Sequence, residues 1–281
     1  MGVPLGNAQT RGHISGMDAM EVFDRDAVRR HRDRAAPAVG RVADVLRDAA
    51  ERLLDRLDDT TTRFSQALDV GGRGVVAPLL RARGIEVVSS DLSPAMAARN
   101  GGVCVAADEE YLPFAAGSFD LVVANLSLHW VNDLPGALIQ LRHALRPNGL
   151  LLASLPALGT LDELRRALTE AEAALTGGAA PRVSPFPDLR DCAGLLQRAG
   201  FALPVADVEV IRLRYANPFA VLQDLRAAGE TNAVRLRDRR IPPRELFPAA
   251  LAGLPVSEED GRVSATLRMA VMTGWAAPVQ P

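Results

Sequence analysis

The stretch QALDVGGRGVVAPLL (66–80) decides the fold class of this chain. A short apolar run ends in an acid, meets three glycines within four positions, and continues as an apolar run. Glycines at a turn from strand to helix let a ligand approach the backbone, and the helix beyond offers unpaired N–H donors. The stretch therefore predicts a strand, a ligand-binding turn and a helix.

Short apolar runs and helical segments alternate on both sides of this turn. Runs apolar enough to be covered on both faces, with helices between them, predict a parallel sheet of βαβ units. The strand candidates are QALDV, IEVVSS, VCVAA, FDLVVANL and GLLLASLP, and the helices between them are VVAPLLRAR, SPAMAARN and LPGALIQLRHALR. Beyond them the pattern predicts helices at TLDELRRALTEAEAAL, LRDCAGLLQRAG and NPFAVLQDLRAAG, and strands at ADVEVIRLRY and RVSATLRMAVMTGWA.

The domain organisation follows from the same patterns. We expect a flexible lead at 1–19, with Met17 or Met20 as an alternative start, and a single domain at 20–281. Within it, 20–60 is a helical segment divided by Pro37, 64–156 is the ligand-binding core, and 157–281 holds the remaining helices and last strands.

Composition limits the possible functions. The 281 residues are 48% hydrophobic, enough for a large core, and the net charge of -2 favours neither nucleic acid nor an anionic membrane as partner. The sequence contains no Lys, which excludes a lysine Schiff base and a P-loop lysine. Cys104 and Cys192 have no CxxC spacing, so neither a disulfide framework nor a zinc site is indicated. Without a membrane-spanning run or a secretion signal, the bacterial cytoplasm is the expected location.

Asp69 helps to choose the ligand of the glycine turn. A carboxylate beside a bound pyrophosphate is unfavourable by about 4 kcal/mol at ~4 Å near a surface. S-adenosylmethionine carries an ammonium and a sulfonium instead of a phosphate, and a carboxylate attracts both. The glycine pattern also departs from GxGxxG. S-adenosylmethionine is favoured, and a nicotinamide cofactor or a turn without a ligand remains open.

More acids follow the next two strands. Asp91 ends the second strand, where it can accept the ribose hydroxyls of an adenosine. Its alternative role is to cap the next helix, although Ser93 before Pro94 is the better cap. Asp108 and Glu109 follow the third strand and can accept from an adenine amino group, with Leu92 and Leu112 on the ring, or they are simply solvated.

The fourth strand ends at Asn125 and opens into SLHWVNDLP. This places Asn125, His129 and Trp130 where such sheets bind ligands. His129 is the candidate base, and the alternative is that His129 and Trp130 only form a wall and a lid. His31 and Asp33 form an HxD, but positions i and i+2 of a helix point to different faces, so no metal site is expected.

At these residues the chain resembles class I S-adenosylmethionine-dependent methyltransferases. More narrowly, it is similar to the respiratory complex I assembly factors whose animal member is described as a protein-arginine hydroxylase. The malonyl-carrier-protein methyltransferases of biotin synthesis are more distant relatives. The matching stretches are FDRDAVRRHRDRAA, ADEEYLPFAAGSFDLVVANLSLHWVNDLP, GTLDELRRAL, SPFPDLRDCAGLLQRAGF, LRAAGETNA and MTGW.

The resemblance implies a Rossmann-like α/β fold: a mostly parallel seven-stranded sheet with helices on both faces, N-terminal helices and a C-terminal helical insertion. It implies S-adenosylmethionine as the cofactor, held by Asp69, Gly71, Gly72, Gly74, Asp91, Asp108 and Glu109. The chain departs from the family pattern Asp-x-Gly-x-Gly-x-Gly by one missing residue, which makes Gly71 and Gly72 adjacent. The missing residue affects the grip on the methionine end of the cofactor.

Three functions remain open from the sequence. The first is methyl transfer to an unidentified small-molecule or protein acceptor. The second is modification, such as arginine hydroxylation, or chaperoning of a respiratory complex I subunit, which places the protein at the inner membrane through its partner. In that case the arginine runs FDRDAVRRHRDRAA and RLRDRRIPP are docking surfaces, whereas such runs are usually solvated faces. The third is binding of the adenosyl cofactor without catalysis.

Overall fold

A seven-stranded sheet organises the protein in a computed structural model that describes residues 21–277. The predicted lead at 1–19 lies outside the described residues. The spatial order is β3-β2-β1-β4-β5-β7-β6. Strands β1 to β5 are mutually parallel, and β7 runs antiparallel to β5 and β6. The strands are β1 (Gln66–Val70), β2 (Glu86–Asp91), β3 (Val103–Ala106), β4 (Phe119–Asn125), β5 (Leu145–Pro156), β6 (Phe201–Tyr215) and β7 (Val263–Ala276).

Nine helices surround the sheet in the described part of the chain. Eight of them were predicted, and the break at Pro37 lies between the first two as expected. The helices are α1 (Arg25–Ala35), α2 (Ala43–Leu54), α3 (Val76–Ala82), α4 (Pro94–Ala97), α5 (Leu134–Ala144), α6 (Asp162–Thr176), α7 (Leu189–Arg198), α8 (Phe219–Ala228) and α9 (Leu246–Ala252).

The sheet buries apolar residues on both faces. Along β4, Leu121 and Val123 belong to the core that α2 and α3 cover, and Val122 belongs to the core under α5 and α7. This alternation is the period of two that a strand imposes on its side chains. Because both faces are covered, the strand reads as a continuous apolar run, and the predicted parallel sheet is confirmed.

The C-terminal helices form a separate layer. Helices α6, α8 and α9 pack with one another and with the first residues of β7. This layer is the predicted C-terminal helical insertion. Helix α8 ends at Gly229, whose φ of 79° is the left-handed conformation typical of a glycine after a helix. The turn directs Glu230 back toward α1, and a Cβ at Gly229 would lie 3.4 Å from the Cα of Arg32.

Ser93 caps α4 as predicted. The Oγ of Ser93 accepts from the N–H of Met96 at 3.0 Å, with Pro94 in the first position of α4. In the same way Asp133 accepts from the N–H of Gly136 at 2.9 Å at the start of α5. Asp91 does not cap the helix; its Oδ1 accepts from the N–H of Ser93 at 2.8 Å, and Oδ2 faces Arg32.

No helix among residues 21–277 combines the length and the apolar character needed to cross a membrane.

Candidate functional site

The carboxyl ends of strands β1 to β4 bring the predicted acids to one edge of the sheet. Asp69 lies in β1, Asp91 ends β2, Asp108 and Glu109 follow β3, and Asn125 ends β4. The strand order reverses at β1, and such a reversal opens the crevice where sheets of this kind bind ligands. We call this set of strand ends, with Asp91, Asp108 and Glu109, the acidic edge.

The glycine turn packs tightly on its own surroundings. Gly71 has a φ of 66°, and a Cβ added there would lie 2.5 Å from the Cβ of Ser127, beyond β4. A Cβ added at Gly72 would lie 2.0 Å from Oδ2 of Asp69. The turn therefore touches both β1 and the loop after β4, and glycine is required at both positions.

Asp69 lies fully buried beneath this turn. Neither carboxylate oxygen makes a well-aligned hydrogen bond to the described residues, although the N–H of Ala77 and the hydroxyl of Ser89 lie near enough to lower the pKa of the carboxyl group. Burial raises the pKa of Asp69 to about 7, so the group is partly protonated at neutral pH. A buried, unpaired carboxyl group of this kind favours a nearby cation or hydrogen-bond donor.

Two arginines of α1 satisfy the acidic edge. Nη1 of Arg32 lies 3.0 Å from Oε1 of Glu109 and 3.3 Å from Oδ2 of Asp91. Nη2 of Arg25 donates to Oδ1 of Asp108 at 2.6 Å and also to Oε2 of Glu109. The whole Arg32 residue is only 1% exposed, so its guanidinium is enclosed with its acidic partners.

The charges in this cluster stabilise one another. Burial opposes the charge of Arg32, but the carboxylates of Asp91 and Glu109 hold its pKa above the ordinary value. Burial likewise opposes the charge of Glu109, and Arg32 and Arg25 hold its pKa below the ordinary value. Arg32 and Glu109 are therefore charged at neutral pH, whereas burial raises the pKa of Asp91 despite the nearby Arg32.

A second charged cluster connects the glycine turn to the loop after β4. Oε1 of Glu230 accepts from Nη1 of Arg73 at 2.7 Å. Its Oε2 lies 2.6 Å from Nε2 of His129 and accepts from Nε1 of Trp130 at 2.6 Å. Arg73 also donates to the backbone carbonyls of Asn125 and Leu126. Glu230 therefore holds together the turn, the candidate base and the candidate lid, and we call these side chains the Glu230 cluster.

Leu92 and Asn125 contact the protein around the edge. Leu92 packs in a small apolar group with Phe23 and Trp130, whose rings meet edge-on with centroids 5.2 Å apart. Nδ2 of Asn125 donates to the carbonyl of Leu46 at 3.1 Å, and its Oδ1 accepts from Oγ of Ser154 at 2.9 Å. The Asn125 side chain thus joins β4 to α2 and β5.

A cavity of about 540 Å³ lies between the Glu230 cluster and the C-terminal layer. Arg73, His129, Trp130 and Glu230 line one end of it. Its lining does not include Asp69, the glycines of the turn or the acidic edge. The remaining wall is largely apolar and includes Leu46, Leu126, Leu161, Leu164, Leu168, Phe186, Leu213, Tyr215, Phe219, Leu222, Phe247 and Leu267.

Sequence reasoning missed the cations of this site and Glu230. The interpretation of FDRDAVRRHRDRAA as a solvated face is wrong for Arg25 and Arg32, although Arg34 is exposed. A signal for these two was present, because they share a helical stripe with Val28 and Ala35 at spacings of three and four. His31 and Asp33 lie on α1 as predicted, and residues 21–277 contain no group of three or more His, Cys, Asp and Glu that could hold a metal ion.

Comparison with known proteins relates the chain to one family. A family model described as a methyltransferase domain matches residues 40–204, which is more than half of the chain. The arginine-hydroxylase NDUFAF5 of Danio rerio is 36% identical over 280 residues, covering 96% of this chain and 87% of that protein. A malonyl-[acyl-carrier protein] O-methyltransferase of Laribacter hongkongensis is 36% identical over 277 residues, covering 92% of this chain and 91% of that protein.

A solved structure agrees with the architecture. The YcgJ protein of Bacillus subtilis matches with a TM-score of 0.55 at 13% identity, covering 80% of this chain and 97% of that protein. At this identity the match shows a shared fold alone. The predicted resemblance and the predicted Rossmann-like α/β fold are both confirmed.

Proposed function

Because the chain belongs to the methyltransferase-domain family, we propose that it binds S-adenosylmethionine at the acidic edge and methylates an acceptor held in the cavity. Bound S-adenosylmethionine supplies a methyl group on a sulfonium that is already activated for displacement. The protein then has to align the acceptor and exclude water. Membership of the family supports both the cofactor and the reaction class.

The chemistry of the acidic edge fits this cofactor. Asp91 is the group we assign to the ribose hydroxyls, and Asp108 and Glu109 are assigned to the adenine amino group. The glycine turn and Asp69 are assigned to the methionine end, where the unpaired Asp69 carboxyl group suits an ammonium. Arg25 and Arg32 form ion pairs with these acids.

The observation that carries the proposal is the meeting of the glycine turn and the cavity at the Glu230 cluster. Arg73 belongs to the turn and also lines the cavity, next to His129 and Glu230. An acceptor in the cavity therefore lies beside the loop that we assign to the methionine end.

His129 is the candidate base in this arrangement. Its Nε2 lies 2.6 Å from a carboxylate oxygen of Glu230, which favours the tautomer with the proton on Nε2. Nδ1 is then the basic nitrogen, and it has no hydrogen-bond partner among the described residues. We assign it the proton that leaves an oxygen or nitrogen acceptor.

Calorimetric titration with S-adenosylmethionine and its demethylated product tests binding, and transfer of a labelled methyl group to cell extract tests catalysis. We expect saturable binding and labelled product. His129→Ala is expected to lower transfer by about a hundredfold or more while binding persists. His143→Ala is the matched control, because His143 is exposed on α5. Binding without transfer would support the non-catalytic alternative, and absence of binding would refute the proposal.

A second candidate function rests on the NDUFAF5 relatives. The 36% identity extends over 96% of the chain, beyond the methyltransferase domain itself. In this version the protein modifies an arginine of a respiratory complex I subunit, or chaperones that subunit, in the bacterial cytoplasm or at the inner membrane. Deletion of the gene should then impair complex I assembly. Mass spectrometry of the subunit separates an added oxygen from an added methylene, and normal complex I in the deletion strain would exclude this version.

A further inference from the structure

We propose that helix α1 competes with the cofactor for its own binding site, because the Arg32 guanidinium fills the space of the adenosine ribose. The inference rests on the proposed binding of S-adenosylmethionine and goes beyond it. Helix α1 covers the acidic edge through its ion pairs, and the cofactor enters only when α1 moves away. Arg32 is thus the residue that sets the apparent affinity of the site.

The position of Arg32 makes the two occupants mutually exclusive. Its guanidinium touches β2 through Asp91 and the loop after β4 through the carbonyl of Ser127, which accepts from Nη2 at 3.2 Å. Nη1 also lies 3.6 Å from the Cβ position of Gly71 in the glycine turn. A ribose that bonded Asp91 would occupy this space. The cavity described above does not reach Asp91.

Helix α1 is attached by buried ion pairs and by modest apolar packing. Its buried residues are Ala27, Val28, Arg32 and Ala35, and only Val28 is a larger apolar side chain. Ala27 and Val28 pack in the group of Phe23 and Trp130, and Ala35 packs in the core that α2 covers. Arg32 supplies a buried ionic attachment to the acids, and a bound cofactor has to replace it.

A short strap fixes the start of the helix. The N–H of Asp24 donates to the carbonyl of Ala233 at 2.8 Å, and Nη2 of Arg237 lies 2.9 Å from Oδ2 of Asp24. Phe23 forms a bridge with Val234. These bonds join residues 21–24 to residues 233–237. Helix α1 is also attached outside the strap, because Oγ of Ser93 donates to Oδ1 of Asp33 and Nη1 of Arg25 donates to the carbonyl of Trp130. The strap and these contacts all have to release for α1 to leave the edge.

The other interpretation is that Arg32 is a permanent structural ion pair and that the cofactor binds beside it. The two interpretations predict opposite effects of removing the guanidinium. If Arg32 competes with the cofactor, only a fraction of the protein molecules can bind it at any moment. Removing the guanidinium then lowers the apparent dissociation constant by a factor of up to the inverse of that fraction. A structural partner orders the acids, so its removal weakens binding.

The test is calorimetric titration of wild-type protein and Arg32→Gln with S-adenosylhomocysteine, and Arg34→Gln is the control. We expect Arg32→Gln to bind about tenfold more tightly or better. Arg34 is exposed on the same helix, so its variant should bind as the wild type does. Equal or weaker binding by Arg32→Gln would overturn the inference and leave the proposed function standing. No binding by any of the three proteins would refute the proposed function and the inference together.

Hydrogen exchange of the wild type gives a second readout that needs no variant. Saturating S-adenosylhomocysteine should speed amide exchange across α1 (Arg25–Ala35). Exchange at the strand ends should slow, because the ligand covers them. If saturable binding leaves α1 equally or better protected, the helix does not leave the site and the inference fails. This readout decides the matter even if Arg32→Gln does not fold.

Discussion

Replacing Glu230 by Gln should destabilise the protein by about 2–3 kcal/mol. Glu230 is the carboxylate that pairs with Arg73, whose side chain is 2% exposed, and it also bonds His129 and Trp130. The substitution keeps the shape and one acceptor oxygen but removes the charge. Arg73 is then a buried cation that bonds only carbonyl and amide oxygens.

The magnitude follows from the charge pair and the hydrogen bonds that the substitution weakens. Leaving a buried charge without its partner costs about 3–5 kcal/mol, and one hydrogen bond to a charged group contributes about 1.5–3 kcal/mol. The Gln oxygen retains part of the interaction with Nη1 of Arg73, which lies 2.7 Å from the carboxylate in the wild type. The Glu230 side chain is 17% exposed, so water compensates part of the destabilisation. Both effects bring the expected destabilisation below the value for a fully lost charge pair, to about 2–3 kcal/mol.

Urea unfolding of a double-mutant cycle isolates the pair. Arg73→Met alone should also destabilise, because Glu230 then loses its cation. The double variant Glu230→Gln/Arg73→Met should lose about 2 kcal/mol less unfolding free energy than the two single variants lose together. The control is Glu245→Gln, since Glu245 is 60% exposed and pairs only with its neighbour Arg244, and it should change stability by less than about 0.5 kcal/mol.

Two results would refute this reasoning. One is a Glu230→Gln protein within about 0.5 kcal/mol of the wild type. The other is strict additivity in the cycle. The acid limb gives a further check, because the pKa of Glu230 lies below its ordinary 4.5: burial opposes the charge, and His129 and Arg73 outweigh it. The stability that this depression contributes is present above pH 4.5 and is lost as pH falls below it, and Glu230→Gln should remove that part of the loss.

Three more predictions concern the glycine turn and the strap. The pKa of Asp69 is about 7 in the folded protein and 3.8 in the unfolded chain. The contribution of Asp69 to the free energy of unfolding therefore falls as pH rises from 3.8 to about 7. Asp69→Asn should remove that fall and add up to about 4 kcal/mol near pH 8, and equal pH slopes in urea unfolding would contradict it. Gly72→Ala should destabilise the protein by about 1–3 kcal/mol, because the added Cβ overlaps the Asp69 carboxylate. Gly178→Ala is the control, with no atom within 4 Å of the added Cβ. Equal urea midpoints for the two variants would refute the overlap at Gly72. Phe23→Ala should cost about 3 kcal/mol and alter Trp130 fluorescence, and an unchanged emission spectrum would show that the edge-on contact is absent.

The fold was predictable because its signals are local. Strands β1 to β5 are recognisable as apolar runs because both faces of the sheet are covered. Turn residues between the runs mark where each strand ends. Helix α9 was missed because Pro248 within it indicates a break and because no strand follows it closely, unlike the short helices α3 and α4 between strands. Pro248 lies in the first turn of the helix, where its missing N–H costs no helical bond.

The acids of the site were predictable for a topological reason, and their partners were not. Parallel strands bring their carboxyl ends to one edge, so an acid after each strand has a predictable place. Arg32 reaches Asp91 across 59 positions, and Glu230 reaches His129 across 101. No spacing rule connects such pairs. An arginine within a charged run looks solvated unless its helical stripe is compared with the apolar positions beside it.

The strap between residues 21–24 and 233–237 bears on how the protein is made. Asp24 and Arg237 are 213 positions apart, so the ribosome delivers the arginine helix long before the segment that fixes it. Contacts this distant in sequence form late, because a long loop has to close first. A growing chain therefore has strands β1 to β5, with an open acidic edge, before the strap exists, whereas β7 (Val263–Ala276) is made after it. We expect that a small molecule present during synthesis binds the open acidic edge at that stage. The strap and α1 then close over it.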